Sequence, residues 1–263
     1  MTKERILITV KTYPTPSKSY EELVCTAGLR EDGSWIRLYP IPFRKMPYSQ
    51  QYKKYDWIEV AIKRNTKDFR RESHYPISDI SIVGNVSTAN KWQERRKLVL
   101  ERAKVYTNLS ELIQDSKSPK FTSLAVFKPT EVLDFTYEPA DEEEWDENII
   151  KRLSQGNLFE PSTFQPVKKL PFVFRYKFKD DKGKQSTLMI EDWELGVLYW
   201  RYANQSKEVA CQKVKEKYFT EFLTKTDLHF FLGTTKQYHN TSKNPFIIIG
   251  AFYPPKVPQP SLF

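Results

Sequence analysis

Short runs of β-type residues dominate the first third of the chain. Residues 5–11 form such a run and end at Tyr-Pro-Thr-Pro, where proline donates no ladder hydrogen bond, so the pattern predicts a strand that stops there. Residues 21–29 and 34–39 are two apolar runs separated by Arg-Glu-Asp-Gly. Asp-Gly between such runs predicts a hairpin, because the turn needs positive φ at its centre. Residues 57–63 and 76–83 predict two further strands.

Helical spacing appears at residue 91. Residues 91–106 carry apolar side chains near the helical period, and Asn108 can cap a second short helix. Residues 123–137 return to strand character. Residues 171–179 and 186–190 flank Asp-Asp-Lys-Gly and predict a second hairpin. The rest of the second half predicts two helices and then two closing strands, at 191–202, 206–223, 228–233 and 245–253.

An acidic segment separates these two patterns. Residues 138–147 contain no basic residue, and clustered acids favour the start of a helix, so we expect a connecting helix over 140–155. Three prolines follow and predict a linker. The predicted class is α+β, with two β-barrel-like (OB-like) halves and helical insertions. We expect an N-terminal half at 1–138, an acidic helix and linker at 139–170, and a C-terminal α+β half at 171–263.

The net charge of the chain indicates what kind of partner the protein binds. Of 263 residues, 42 are Lys or Arg and 33 are Asp or Glu, a net charge of +9. Residues 1–71 hold 15 basic and 8 acidic residues, so +7 of that excess lies in the first quarter. A concentrated basic excess attracts polyanions, and nucleic acid is the expected partner. The alternative is ordinary solvated surface charge.

Composition excludes several classes of protein. With 8 glycines the sequence lacks a glycine-rich phosphate loop, and we expect no cofactor. Two cysteines, Cys25 and Cys211, do not make a four-ligand structural zinc site, and free thiols suit the reducing cytoplasm. No apolar run reaches the roughly 18 residues that span a membrane. We therefore expect a cytoplasmic protein that makes no membrane contact.

Residues 35–57 interleave cations with aromatic rings. Cations neutralise phosphates and ring faces stack on bases, and a groove for single-stranded nucleic acid needs both. The other interpretation is that the rings belong to the core and the cations to its edge. The predicted phosphate contacts are Arg37, Arg44, Lys45, Lys53 and Lys54, and the predicted stacking residues are Tyr39, Tyr52 and Trp57.

Two further groups of cations extend the prediction. The first continues directly after that segment, at Lys63, Arg64, Lys67, Arg70 and Arg71. In the second, Arg175, Lys177 and Lys179 share one face of a predicted strand, because side chains alternate with a period of two. Arg175 and Lys177 are added to the predicted nucleic-acid-binding residues. A solvated face explains this stripe equally well.

An enzyme remains an alternative. Glu191, Asp192 and Glu194 follow a predicted strand and open a helix, where carboxylates can simply cap the helix. The other interpretation is a metal-dependent nuclease, in which these carboxylates hold a divalent ion with help from His239 or Lys184. The spacing of these carboxylates does not require a metal site. No catalytic residue and no metal ligand is assigned, and Asp192, Glu194 and His239 stay candidates.

Several segments resemble a known group of proteins. Cys25-Thr26-Ala27-Gly28-Leu29, then Asp32-Gly33-Ser34-Trp35-Ile36-Arg37, resembles a hairpin of uncharacterised prokaryotic proteins built from two OB-fold-like units. The hairpin departs from the pattern at one place, because Leu38 and Tyr39 separate Arg37 from Pro40, whereas in those proteins proline directly follows the arginine. Residues 190–194, 230–233 and 245–250 resemble the end of such proteins. The resemblance implies OB-like barrels, which commonly bind single-stranded nucleic acid, and a place among mobile-element or antiviral defence genes.

These observations predict a protein that binds single-stranded DNA or RNA through a basic and aromatic face of its N-terminal half. Two alternatives stay open. One is the metal-dependent nuclease, and the other is a protein-interaction subunit of a larger complex that docks through its aromatic surface or the acidic helix near residues 142–147.

Overall fold

The computed structural model describes residues 2–16, 22–155 and 166–257. Strands and helices both occur in each half, so the α+β class is confirmed. The strands of the first half are β1 (Glu4–Lys11), β2 (Thr15–Pro16), β3 (Glu22–Leu23), β4 (Thr26–Arg30), β5 (Trp35–Leu38), β6 (Asp56–Val60), β7 (Ile62–Arg64), β8 (Ser73–Pro76) and β9 (Ser81–Asn85).

Seven of these strands form one curled sheet, in the order β7-β8-β5-β4-β1-β6-β9. Only Ala61 separates β6 from β7 along the chain, although β7 lies at one end of the sheet and β6 beside the other end. The sheet therefore bends round until its two ends meet, which gives the first half its barrel-like form. The interior is apolar and includes Ile6, Ile8, Ile36, Leu38, Ile58 and Val60.

The predicted hairpin at Asp32-Gly33 joins β4 to β5. The amide of Arg30 donates to the carbonyl of Ser34 at 2.9 Å, and Gly33 has a φ of +83°. A Cβ at Gly33 would also lie 2.3 Å from the carbonyl oxygen of Arg102. Both the backbone conformation and the space therefore require glycine at this turn.

The second half contains two smaller sheets and most of the helices. Its elements, with the helix that precedes them, are α1 (Ala89–Arg96), β10 (Val105–Tyr106), α2 (Leu109–Asp115), β11 (Leu124–Phe127), β12 (Glu131–Pro139), α3 (Glu147–Gln155), β13 (Phe172–Lys179), β14 (Gln185–Met189), α4 (Trp193–Tyr202), α5 (Lys207–Lys215), α6 (Phe222–Lys225), β15 (His229–Thr234) and β16 (Phe246–Phe252). π-Helical turns at Lys97–Glu101 and Glu216–Glu221 extend α1 and join α5 to α6.

The two sheets of this half have the orders β10-β11-β15-β16 and β12-β13-β14. A parallel bridge between Ile190 and Ile248 links them. Their shared core is rich in aromatic rings, among them Phe135, Phe174, Tyr176, Tyr199 and Phe230. Because β11 pairs with β15, strand pairing groups residues 105–127 with the C-terminal strands. The predicted division at residue 138 stays a prediction.

The acidic connecting helix is shorter than the predicted 140–155. Helix α3 begins at Glu147, and Asp146 before it accepts a hydrogen bond from the amide of Asn148 at 2.8 Å. Residues 156–165 of the predicted linker lie outside the described residues. Among the described residues, no helix has the length and apolar character that crossing a bilayer requires.

A buried ion pair joins the two halves. Lys54 lies just before β6, and its Nζ is 2.8 Å from Asp192 Oδ1 and 3.1 Å from Glu194 Oε2. Asp192 also caps α4 by accepting from the amide of Glu194 at 3.0 Å. Burial lowers the pKa of Lys54, but the attraction of Asp192 and Glu194 outweighs burial and raises that pKa overall. Lys54 is therefore a structural cation.

Replacing Lys54 with methionine should destabilise the protein strongly, because Asp192 would remain buried without its counter-charge. We expect Lys54→Met to lower the free energy of unfolding by about 3–5 kcal/mol. The measurement is urea unfolding followed by intrinsic fluorescence.

The neighbouring Lys53 is exposed and provides a matched control. Lys53→Met should change the free energy of unfolding by no more than about 0.5 kcal/mol. Adding Asp192→Asn to Lys54→Met should recover part of the loss, since asparagine is uncharged and still caps a helix. Equal effects of Lys53→Met and Lys54→Met would contradict the buried ion pair.

Candidate functional site

A cavity of about 780 Å³ lies at the junction of the two halves. Its walls come from the end of β5, the loop after β7, the segment around β2 and β3, and strands β15 and β16. The lining combines charged, polar and apolar side chains, including Cys25, Arg37, Tyr39, Lys67, Asp68, Arg70, Glu191, Thr234, Lys236, Ile247 and Ile249.

Arg37 is the most deeply buried cation of this cavity. On β5 the neighbours Ile36 and Leu38 point into the barrel, so the alternation of the strand turns Arg37 toward the second half. Its guanidinium donates to Ser123 Oγ at 2.8 Å and to the Ser123 carbonyl at 3.2 Å. Its Nε is buried without a hydrogen-bond partner. All of its hydrogen-bond acceptors are neutral, so its positive charge adds to the potential of the cavity.

The loop after β7 is organised around Asp68. The carboxylate accepts hydrogen bonds from the Arg70 guanidinium, the shortest at 2.6 Å, and from Ser73 Oγ at 2.7 Å. Arg70 also donates to the carbonyl of Thr234. Burial alone raises the pKa of Asp68, but the bonds from Arg70 and Ser73 lower it to about 2. Asp68 therefore holds Arg70 in place, and Arg70 holds the loop against β15.

Exposed cations and aromatic rings lie on the two loops that reach this cavity. Lys67 and Lys236 line the cavity from two loops, and both side chains are exposed. Phe69 is 41% exposed and Tyr238 is 53% exposed. Phe69 also contacts His239, with 5.2 Å between ring centroids, which joins the two loops. We call the set Lys67, Phe69, Arg71, Lys236 and Tyr238 the cavity rim.

The sequence singles out only part of the cavity rim. Lys67 and Arg71 belong to the group of cations that directly follows segment 35–57, but Phe69 and the residues near 234–244 are missed as a binding surface. The signal was present, because a polar loop with His239 between two apolar strands is a position where sites occur. What the sequence lacks is the pairing that brings this loop beside residues 65–72.

The residues predicted in segment 35–57 do not form one surface. Arg37 and Tyr39 line the cavity. Tyr52 is fully buried and hydrogen-bonds Thr26, with 2.6 Å between the two hydroxyl oxygens. Lys54 is buried in its ion pair. Tyr52 and Lys54 are corrections to the predicted binding face, because a side chain held inside the core does not reach a ligand outside it.

Four of these predicted residues lie nearer the surface. Arg44 is exposed and forms an ion pair with Glu22 at 2.7 Å. Lys45 and Lys53 are exposed. Trp57 is half-buried under Arg5, whose guanidinium carbon lies 5.0 Å from the ring centroid. Their contacts with nucleic acid stay predictions.

The cation stripe on β13 is present but is partly neutralised by the neighbouring strand. Arg175 pairs with Glu138, and Lys179 pairs with Glu131 at 2.8 Å. Lys177 is exposed and faces Asp134 in the strand register. Carboxylates on β12 therefore reduce the positive charge of this face, which makes it a weaker phosphate track than its cations alone suggest.

The residues proposed for a nuclease serve different structural purposes. Asp192 and Glu194 both bind Lys54. His239 lies beside the cavity rim, with Nδ1 2.8 Å from Thr234 Oγ1 and Nε2 2.9 Å from the Ser116 carbonyl. In the described part of the chain, no three His, Cys, Asp or Glu side chains form a group that could hold a metal ion.

Two protein-family models match adjacent parts of the chain. Residues 105–263 match the model described as Domain of unknown function (DUF8757). The chain belongs to this family. Residues 2–101 match the model described as Domain of unknown function (DUF8758). The two models lie side by side and divide this DUF8757 protein into two adjacent domains, consistent with the way β10 and β11 pair with C-terminal strands.

Other comparisons add little. No curated protein matches the chain. Among solved structures it is similar to a murine DNA-binding protein bound to double-stranded DNA, with a TM-score of 0.33 and 11% identity over 100% of each chain. At that TM-score the likeness carries no argument about the fold or the ligand of the DUF8757 protein.

Neutralising Asp68 should loosen the loop that carries Lys67 and Arg71. We expect Asp68→Asn to lower the free energy of unfolding by about 1–2 kcal/mol near pH 7. The folded-state pKa of Asp68, about 2, lies below its ordinary value of 3.8, so its stabilisation is present above that value and is lost as the pH falls through about 2. Urea unfolding at several pH values measures both effects.

Asp79 is exposed and provides the control for that substitution. Asp79→Asn should change the free energy of unfolding by no more than about 0.5 kcal/mol. The difference between wild type and Asp68→Asn should shrink as the pH is lowered from about 4 to about 2. A difference that stays constant over this range would contradict the assigned charge of Asp68.

Proposed function

We propose that the protein binds single-stranded nucleic acid through the cavity rim. The observation that carries this proposal is the combination, on two adjoining loops, of exposed cations with exposed aromatic rings beside the cavity. Cations neutralise backbone phosphates, and ring faces stack on bases that are not already stacked in a duplex. These two interactions are the ones that single-strand binding combines.

The location of the net charge supports the same proposal. Most of the positive excess lies in residues 1–71, the segment that forms most of the barrel and the loop with Lys67 and Arg71. Many cations elsewhere are paired, such as those of β13. Among the described residues, the rim cations Lys67, Arg71 and Lys236 form no ion pair, so their charge is available to phosphates.

The barrel supports the single-strand specificity. We infer that the first half is an OB-type barrel, since its seven-stranded curled sheet closes on itself through β6 and β7. Barrels of that type bind single-stranded nucleic acid on one face and through adjoining loops. Both cysteines are free thiols, which fits a cytoplasmic location.

Removing the three rim cations should weaken strand binding in a salt-dependent way. We expect Lys67→Ala/Arg71→Ala/Lys236→Ala to flatten the slope of log affinity against log salt by about 2, since each single-strand phosphate contact contributes about 0.7. Fluorescence anisotropy with labelled single-stranded DNA and RNA, titrated between about 50 and 200 mM salt, measures this slope.

A triple variant of equal charge change is the matched control. Lys3, Lys97 and Lys225 are exposed and do not line the cavity, so Lys3→Ala/Lys97→Ala/Lys225→Ala should leave the slope within about 0.5 of wild type. A duplex of the same length should bind more weakly than the single strand, because its bases cannot stack on Phe69 and Tyr238. Equal slopes for both triple variants would refute the cavity rim as the binding surface.

A further inference from the structure

The cavity contains a carboxylate that the fold does not use. The amide of Glu191 donates to the Ile248 carbonyl at 2.8 Å, which fixes the residue where β14 leads into α4. The next residue, Asp192, points inward to Lys54, whereas Glu191 lines the cavity. Among the described residues, the Glu191 side chain has neither a hydrogen-bond nor an ion-pair partner.

The Glu191 side chain is half-buried and lines the cavity without being part of the core. Burial raises the pKa of Glu191, and no neighbouring charge or hydrogen bond offsets the shift. By contrast, Asp68 and Asp192, which the fold does use, both accept hydrogen bonds from cationic side chains. A half-buried carboxylate that lines the cavity and that the fold leaves unpartnered can accept hydrogen bonds from a ligand with N–H donors.

Other walls of the cavity carry the opposite charge. Arg37, Lys67, Arg70 and Lys236 line it, and of these only Arg70 is neutralised by a carboxylate of the lining, that of Asp68. A ligand that fills the cavity therefore needs an anionic group for the cations together with hydrogen-bond donors for Glu191.

Part of the cavity wall is apolar, which suits a ligand that has an apolar group. Ile247 and Ile249 flank Ile248 on β16 and both line the cavity, as do Leu23 and Pro40. The volume of about 780 Å³ lies within the range of sites that hold small organic ligands. Tyr39 adds one aromatic ring to the lining.

We propose that the cavity binds one nucleotide, with its base against Ile247 and Ile249, N–H groups of the base donating to Glu191, and its phosphate near Lys67 and Lys236. Guanine should bind best, because its Watson–Crick edge presents two adjacent N–H donors to a carboxylate. The nucleotide comes either from solution or from a strand on the cavity rim. Only the strand source rests on the proposed function.

The test is calorimetric titration of the full chain with GMP, AMP, CMP and UMP, each repeated on Glu191→Gln. GMP should bind at least about tenfold tighter than the other three, and Glu191→Gln should remove that preference. Glu208→Gln changes an exposed glutamate outside the cavity and should leave all four affinities unchanged. Neither variant should lower the urea concentration at which the protein unfolds, since neither glutamate is used by the fold.

Competition separates the two sources of nucleotide. If a guanine-containing strand displaces fluorescent GMP, the occupant is a nucleotide of the strand, and if both bind together it is a free nucleotide. Strand binding without GMP binding would overturn the cavity assignment and leave the proposed function standing. GMP binding that Glu191→Gln does not weaken would overturn it as well, and absence of both kinds of binding would overturn both proposals.

Discussion

Buried charged side chains hold the two halves together. Lys54 reaches from the barrel to the start of α4 and binds Asp192 at 2.8 Å. Such a pair is costly to break because either partner alone would be a buried, uncompensated charge. It therefore fixes the orientation of α4, and with it the residue that precedes Asp192. Because Asp192 accepts the hydrogen bond from Lys54, the preceding residue, Glu191, faces the cavity.

Two arginines extend the same junction on the opposite wall. Arg37 reaches Ser123, and Arg70 reaches the carbonyl of Thr234, so β5 and the loop after β7 are both attached to the second half. These polar links hold the two halves in contact beside the cavity. Its cations are consequently part of the framework as well as of the proposed binding surface.

The sequence predicts local structure well where one segment contains the whole signal. The Asp32-Gly33 turn is an example, since the glycine that the turn needs and the two flanking runs lie within twenty residues. The alternation of cations on β13 is another. The neutralising carboxylates on β12 were not predicted to face them, because cross-strand register depends on a pairing that neither segment shows alone.

The candidate site was harder to predict for the same reason. Interleaved cations and rings in segment 35–57 are compatible with a binding face and with a core, and the structure divides them between the two. Tyr52 is core, Lys54 is an internal counter-ion, and Arg37 lines the cavity. Nothing near Lys54 in sequence indicates Asp192, which lies 138 residues away. Long-range pairing, not composition, decides which cations are available.

Hydrogen–deuterium exchange of the full chain, with and without a saturating single strand, would test most directly whether the cavity rim is the binding surface. Slower exchange should be confined to residues 65–72 and 235–244, with β12 and β13 unchanged. Protection centred on β12 and β13, or strand binding with no protection in those two loops, would contradict the assignment.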